Sequence, residues 1–213
     1  ALTAFRETSD RWGEAGALHS QGRIAADALD AAGALDCYRP SLAICRDIAH
    51  QRGEVLALRS LGHVLADQHL PDEARSLYEE ALPLAREREL PGNVLELLAG
   101  LAEVAVALGN RAQGGALANE ALDHFTVQAL AQANEPLRAY LSCYRVLRAV
   151  DDARAVDLLV SVQRLMQDRA ATMPDAASRQ AFWQNGPTNK ALLHAIADCG
   201  DSLPVSHALQ VPA

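Results

Sequence analysis

The stretch LGHVLADQHLPDEARSLYEEAL, residues 61–82, predicts two helices joined by a turn. Apolar and small residues recur three and four positions apart in each half, which places them on one face of each helix. They are Leu61, Gly62 and Leu65 in the first half, preceded by Leu58 on the same face, and Ala74, Leu77, Tyr78, Ala81 and Leu82 in the second. Pro71 suits the first turn of a helix and poorly suits a helix interior. The small residues allow the two backbones to approach closely, so the stretch predicts an antiparallel helix pair.

The same pattern returns every 40 residues. GEAGALHSQGRIAAD, from residue 13, aligns with GEVLALRSLGHVLAD, from residue 53, and a column of small residues runs through four copies without a gap. That column is Gly22, Gly62, Ala102 and Ser142. Two arginines depart from other columns, Arg138 from a column of leucines and Arg154 from a column of small residues. Because one helix pair cannot bury its apolar stripe alone, successive pairs are expected to stack on each other.

The alignment divides the chain into consecutive segments. The opening ALTAF aligns with SLAIC of residues 41–45, the end of a second helix, so we expect the chain to be a piece of a longer array. The alternative is a solitary N-terminal helix that caps the array. The predicted segments are 1–10 for the end of a preceding second helix, 11–52, 53–92, 93–132 and a degenerate 133–173 for four repeats, 174–200 for a capping helix that includes Phe182 and Trp183, and 201–213 for a tail.

Composition and charge exclude several classes of function. Half of the 213 residues are hydrophobic but only 4% are aromatic, and no alternating run predicts a strand. The net charge is −8 without a basic cluster, which argues against binding to nucleic acid or to an anionic membrane surface. No apolar run approaches the roughly 20 residues that span a bilayer. The four cysteines form no C-x-x-C pair, as is typical of reduced thiols in a cytoplasmic protein.

The repeat resembles the tetratricopeptide repeat. The signature residues correspond to Leu58, Leu61, Gly62, Ala74, Tyr78 and Ala81 in the second copy, and to Leu18, Gly22, Ala34, Tyr38 and Ser41 in the first. The family's usual period is about 34 residues, and here the extra residues fall after the second helix, as in RERELPGN. Such lengthened repeats are similar to those of bacterial signal-transduction ATPases and transcriptional regulators. The resemblance implies an all-α fold, a TPR-like α-solenoid: a right-handed superhelix of antiparallel helix pairs, about four 40-residue repeats with a capping helix.

The sequence contains no motif that predicts catalysis. A Gly-rich phosphate loop with a following Lys, a G-x-S-x-G turn and an H-E-x-x-H helix are all missing. Catalysis requires a nucleophile, a base and an orienting group that converge, and the pattern indicates none of these. We therefore expect no enzymatic activity, no cofactor and no metal site.

The resemblance implies that the first helix of each pair lines a groove. Its groove-facing charged positions are His19, Arg23, Asp27, Arg59, His63, Asp67, Glu96 and Glu103, and the fourth copy offers Ala139, Cys143 and Val146. The arginine fork suits carboxylates, so one hypothesis is that an acidic segment or a terminal carboxylate docks near Arg23, Arg59 and His63. The alternative is a solvated face on which Arg23 pairs with Asp27 and His63 pairs with Asp67, four residues apart.

Tetratricopeptide arrays are protein- and peptide-binding modules, and the resemblance implies the same here. We expect a non-catalytic module, the sensor or scaffold portion of a larger cytoplasmic bacterial regulatory protein. Its partner would be a protein or peptide segment, or another domain of the same polypeptide, with no direct contact to nucleic acid or membrane. Two alternatives remain open: self-association as a homodimer, and sensing of a small ligand. The few aromatic residues weaken a sugar-binding interpretation.

Overall fold

The computed structural model describes Phe5 and residues 10–199. Within these residues the chain forms eleven helices and no strand. The helices are α1 (Arg11–Asp27), α2 (Ala31–Asp47), α3 (Gln51–Asp67), α4 (Pro71–Glu87), α5 (Pro91–Ala107), α6 (Arg111–Asp123), α7 (Val127–Gln132), α8 (Pro136–Ala149), α9 (Arg154–Ala171), α10 (Ala176–Asn185) and α11 (Pro187–Asp198). Residues 1–4, 6–9 and 200–213, which include most of the predicted N-terminal segment and the tail, lie outside the described residues.

The helices pack mainly on their neighbours in sequence. The pairs α1–α2, α3–α4, α5–α6 and α8–α9 each form a hairpin, and each hairpin packs on the next. The first helices also meet side by side, α1 with α3, α3 with α5, and α5 with α8. This arrangement is an α-solenoid-like repeat array and confirms the predicted fold class.

The first five helices are equal in length and are joined by three residues each. Each helix has 17 residues, and each join has a left-handed residue at its centre, at positions 29, 49, 69, 89 and 109. The third join residue donates its N–H to the carbonyl five residues earlier, as His50 does to Cys45 at 2.7 Å and Leu70 does to Leu65 at 3.0 Å. This bond closes a Schellman motif, and the same residue is the N-cap of the next helix. Asp10 and Phe5 make the same bond at 2.9 Å.

The extra residues of the 40-residue period were therefore placed wrongly by the sequence alignment. They do not form a longer connection after the second helix, because RERELPGN is mostly helical, with α4 ending at Glu87 and α5 beginning at Pro91. The extra length is shared by both helices of the pair.

Small residues lie where the helices of a pair cross. A Cβ on Gly22 would come within 2.6 Å of the Tyr38 ring, and Gly62 and Tyr78 repeat the contact 40 residues later. Exposed ion pairs repeat at the same interval on the second helices, Arg46 with Glu80 and Arg86 with Glu120. The apolar core runs continuously from α2 to α11.

The predicted gapless register is wrong in the fourth copy. The short helix α7 follows α6, α8 extends to Ala149, and the left-handed join residue is Asp151 rather than residue 149. As a result Ala155 is buried in the position predicted for Arg154, which is exposed. The first helix of this copy has only 14 residues, but it ends later than the 40-residue period predicts, and the second helix is displaced along the sequence as a result.

Two helices, rather than one, occupy the predicted capping segment 174–200. Asp175 caps α10 by accepting a 2.7 Å hydrogen bond from the Ser178 backbone amide. The helical conformation is interrupted at Gly186, and α11 begins at Pro187. Trp183 is buried and packs edge-on against Phe182, with ring centroids 5.4 Å apart. α11 packs on α8, and both α10 and α11 pack on α9. In the described part of the chain, no helix is both long and apolar enough to cross a bilayer.

Candidate binding cavity

A cavity of about 620 Å³ lies along the face formed by the first helices. Its walls come mainly from α1, α3 and α8, with contributions from α2, α5, α9 and the start of α11. Four arginines and four carboxylates line it, so its charge is balanced although the whole chain carries −8. These residues are Arg23, Asp27, Asp67, Glu103, Glu135, Arg138, Arg145 and Arg169.

The structure brings together five of the eight charged residues predicted to line a groove. Arg23, Asp27, His63, Asp67 and Glu103 line the cavity. The other three, His19, Arg59 and Glu96, do not line it. The remaining groove positions are also packed away, since Ala139, Cys143 and Val146 of the fourth copy are at most 2% exposed.

Arg59 and Glu96 form an ion pair inside the array. Both side chains are 1% exposed, and the Arg59 Nη1 donates to a Glu96 carboxylate oxygen and to Asn93 Oδ1, the latter at 3.1 Å. The other Glu96 oxygen accepts the Glu135 backbone N–H at the start of α8. Burial raises the pKa of Glu96, while Arg59 and that amide oppose the rise. Arg59 therefore joins the second and third repeats to α8, and the hypothesis that an acidic segment docks on it is not retained.

His63 packs against Tyr78 instead of pairing with Asp67. The His63 Nδ1 and the Tyr78 hydroxyl are 2.7 Å apart, and the rings meet edge-on at 5.5 Å. Among the described residues the His63 Nε2 has no hydrogen-bond partner. Burial lowers the pKa of His63 well below its usual value, and the nearby Arg138 and Arg59 lower it further. The imidazole is therefore neutral at pH 7.

His19 takes a similar structural role in the first repeat. Its Nε2 lies 3.1 Å from the Ser60 hydroxyl, and its ring lies 5.1 Å from the Tyr38 ring. Burial lowers the pKa of His19 to about 4, and the positive charges of Arg59 and Arg23 add to that effect. Ser60 and Tyr38 contribute to the cavity wall, whereas His19 lies behind them.

Arg138 is the prominent cavity residue that sequence reasoning did not assign. It forms a two-pronged ion pair with Asp67, with Nη1–Oδ2 at 2.9 Å and Nη2–Oδ1 at 2.8 Å. This pair joins the second and fourth repeats across the cavity. Burial alone would lower the pKa of Arg138, but the Asp67 hydrogen bonds raise it above its usual value. The signal in the sequence was its departure from the leucine column.

The other cavity charges differ in how they are paired. Glu103 accepts hydrogen bonds from Arg145 at 2.6 Å and from Ser142 at 2.5 Å. Within the part of the chain that the structure describes, Arg23, Asp27 and Arg169 form no ion pair. The cavity thus presents both satisfied and available charges to an occupant.

The described residues contain no group of three or more His, Cys, Asp or Glu side chains placed to hold a metal ion. Burial raises the pKa of the Cys143 thiol to about 12, so this cysteine is not a thiolate at neutral pH. No protein-family model matches the chain, and no curated protein sequence is significantly similar to it.

Proposed function

We propose that the chain is a non-catalytic, tetratricopeptide-like module that holds an extended segment of a protein partner in the cavity. The observation that carries the proposal is the cavity itself, whose walls come from helices of all four repeats and from α11. Its volume is within the range of about 300–1,000 Å³ that is usual for ligand sites. Apolar side chains such as Val64, Leu137 and Leu141 line it together with the charged ones, which suits an amphipathic peptide.

The setting that we propose follows from the lengthened repeat. The 40-residue period and its resemblance to arrays in bacterial regulators support a sensor or scaffold portion of a larger cytoplasmic regulatory protein. The occupant would then be a protein or peptide segment, or another domain of the same polypeptide.

Selection from a displayed peptide library tests the proposal. Peptides that bind the wild-type chain are synthesised, and their Kd values are measured for Arg23→Glu and Arg169→Glu. These variants reverse the charge of the two cavity arginines that have no ion pair with any described residue. The exposed Arg111, outside the cavity, gives the matched control Arg111→Glu. We expect both cavity variants to change Kd at least about tenfold and the control to leave it unchanged.

Two results would contradict the proposal. One is a library that yields no binding peptide. The other is a set of peptides whose Kd values are the same for the wild type and for both cavity variants. Light scattering on the same samples separates self-association from peptide binding. A dimer that dissociates in Arg23→Glu would assign the cavity to a second copy of the chain.

A further inference from the structure

In the 40-residue sequence alignment, Arg138 falls in a column where the other three repeats have leucine. The aligned residues Leu18, Leu58 and Leu98 are 5%, 0% and 0% exposed. Packing between the helices of a pair therefore does not require a charge at this position. A guanidinium placed there must be kept paired, because an isolated buried charge is strongly unfavourable.

The partner of Arg138 is unusual because it lies far away in the chain. Asp67, at the end of α3, is 71 residues distant, and its two oxygens meet both prongs of the guanidinium. The same Nη2 donates a longer 3.4 Å bond to the His63 carbonyl. This planar, two-bond geometry is the one that arginine offers to any carboxylate, whether it belongs to the protein or to a ligand.

The two members of the pair differ in their exposure. The Arg138 side chain is 17% exposed, whereas that of Asp67 is 57% exposed. Asp67 can therefore turn into water at little cost, while Arg138 remains in place and needs a replacement carboxylate. Both residues line the cavity, so a carboxylate carried by an occupant would reach the guanidinium from the same side as Asp67.

We propose that the Arg138 guanidinium is the anchoring site for a carboxylate of the bound segment, and that Asp67 occupies it as an internal competitor when the cavity is empty. This inference rests on the proposed function and specifies its ligand chemistry. A carboxylate is the group that we propose because a carboxylate, that of Asp67, already meets both prongs of the guanidinium. The carboxylate comes either from a peptide C-terminus or from an Asp or Glu side chain.

Chemical rescue tests the site without a known partner. In Asp67→Ala the Arg138 guanidinium lacks its carboxylate, and sodium acetate is the probe that replaces it. We expect acetate to raise the Tm of this variant by about 2–4 °C relative to sodium chloride at equal ionic strength. Wild type and Asp27→Ala, which removes a cavity carboxylate that has no ion pair among the described residues, should show no such difference. If Asp67→Ala does not fold, Asp67→Asn provides the same measurement.

The specificity of the rescue depends on Arg138. The double variant Asp67→Ala, Arg138→Leu restores the leucine of the other repeats, and we expect it to fold and to lose the acetate effect. An acetate effect of equal size in all variants, or no effect in Asp67→Ala and Asp67→Asn, would overturn the inference.

Peptide pools separate this inference from the proposed function. Three labelled pools of random heptapeptides are used: one with a free C-terminus, one amidated and free of acidic residues, and one amidated with a single Asp. Asp67→Asn should bind the two carboxylate-bearing pools at least about fivefold more tightly than wild type does, and the neutral pool equally. A gain for only one of the two identifies the source of the carboxylate. If wild type binds the pools but Asp67→Asn shows no gain, the inference fails and the proposed function stands. If no pool binds any variant, both fail.

Discussion

The ring of Tyr78 lies against the backbone of Gly62 in the partner helix of its own pair. A Cβ at residue 62 would lie inside the contact distance of three ring atoms, and one at Gly100, in the next repeat, would lie 2.9 Å from the ring. Tyr78 is 1% exposed and is held at its hydroxyl by His63. One aromatic side chain thus fixes the spacing of three helices, α3, α4 and α5.

Gly62→Ala is therefore expected to destabilise the protein. The added methyl has to displace a ring that is enclosed on both sides, which is expected to lower the free energy of unfolding by about 1–3 kcal/mol. Gly16→Ala is the control, since residue 16 lies in the exposed part of α1 with no atom within 4 Å of the new Cβ. That change is expected to be stabilising by up to about 1 kcal/mol. Urea unfolding measures both, and equal effects at the two positions would contradict the packing argument.

The Gly62 and Tyr78 columns show what the sequence could predict. Helix pairing, the 40-residue spacing and the small residues at crossings are local or strictly periodic features, so they can be read from one chain. The burial of Arg59 could not be predicted in that way, because Arg59 is satisfied by Glu96, 37 residues away. An arginine at this position is compatible both with a solvent-exposed helix face and with a buried ion pair, so the residue type alone does not distinguish the two. The displacement at Asp151 was also hidden, since it depends on where α8 ends.

The Arg59–Glu96 pair should contribute strongly and cooperatively to stability. Arg59→Met leaves a buried carboxylate without its cation, and Glu96→Gln leaves a buried cation without its carboxylate. Each change is expected to lower the free energy of unfolding by about 3–5 kcal/mol. The double variant should lose less than the sum by about 1–3 kcal/mol.

The exposed pair Arg86–Glu120 provides the control for this cycle. It links second helices at the surface, so removing either member should change stability by less than about 1 kcal/mol. Chemical denaturation of the wild type, the single variants and the double variant of each pair gives the free energies of unfolding that are compared. Additive effects at Arg59 and Glu96 would show that the two charges do not stabilise each other.

Acid should destabilise the array through its buried histidines. His19 has a pKa of about 4 in the folded protein against its usual 6.5, so the unfolded chain binds a proton more readily than the folded chain does. The contribution of His19 is complete above pH 6.5 and is lost as the pH falls toward 4. It amounts to about 2–3 kcal/mol after allowance for its partial exposure. His63, with a pKa lowered in the same direction, adds to the loss.

Denaturation curves between pH 7.5 and 4 check this expectation. His19→Asn keeps a polar partner for Ser60 but cannot be protonated, so its stability should depend less steeply on pH than that of the wild type. His194→Asn, at an exposed position of α11, is the matched control. The argument fails if the His19 variant and the wild type lose stability in parallel over this range.

The left-handed joins offer a route to higher stability. Leu29, Ala49, His69 and Glu89 adopt positive φ values of 51–62°, whereas glycine stands at the fifth equivalent position, Gly109. A side chain in this conformation is strained relative to glycine by roughly 1 kcal/mol, and a Schellman motif favours glycine at this residue. Glu89→Gly should therefore stabilise the protein by about 0.5–1 kcal/mol, after the added flexibility of the unfolded chain is counted against it.

Gly109→Ala is the reciprocal change and should be destabilising by a similar amount. Its Cβ would meet no atom within 4 Å, so the loss reports backbone strain alone. Because the left-handed conformation repeats at each join, the two substitutions test the same backbone requirement at two consecutive joins. If thermal and urea unfolding both show Glu89→Gly to be neutral or destabilising while Gly109→Ala is tolerated, the joins are not held in this conformation by the helices they connect.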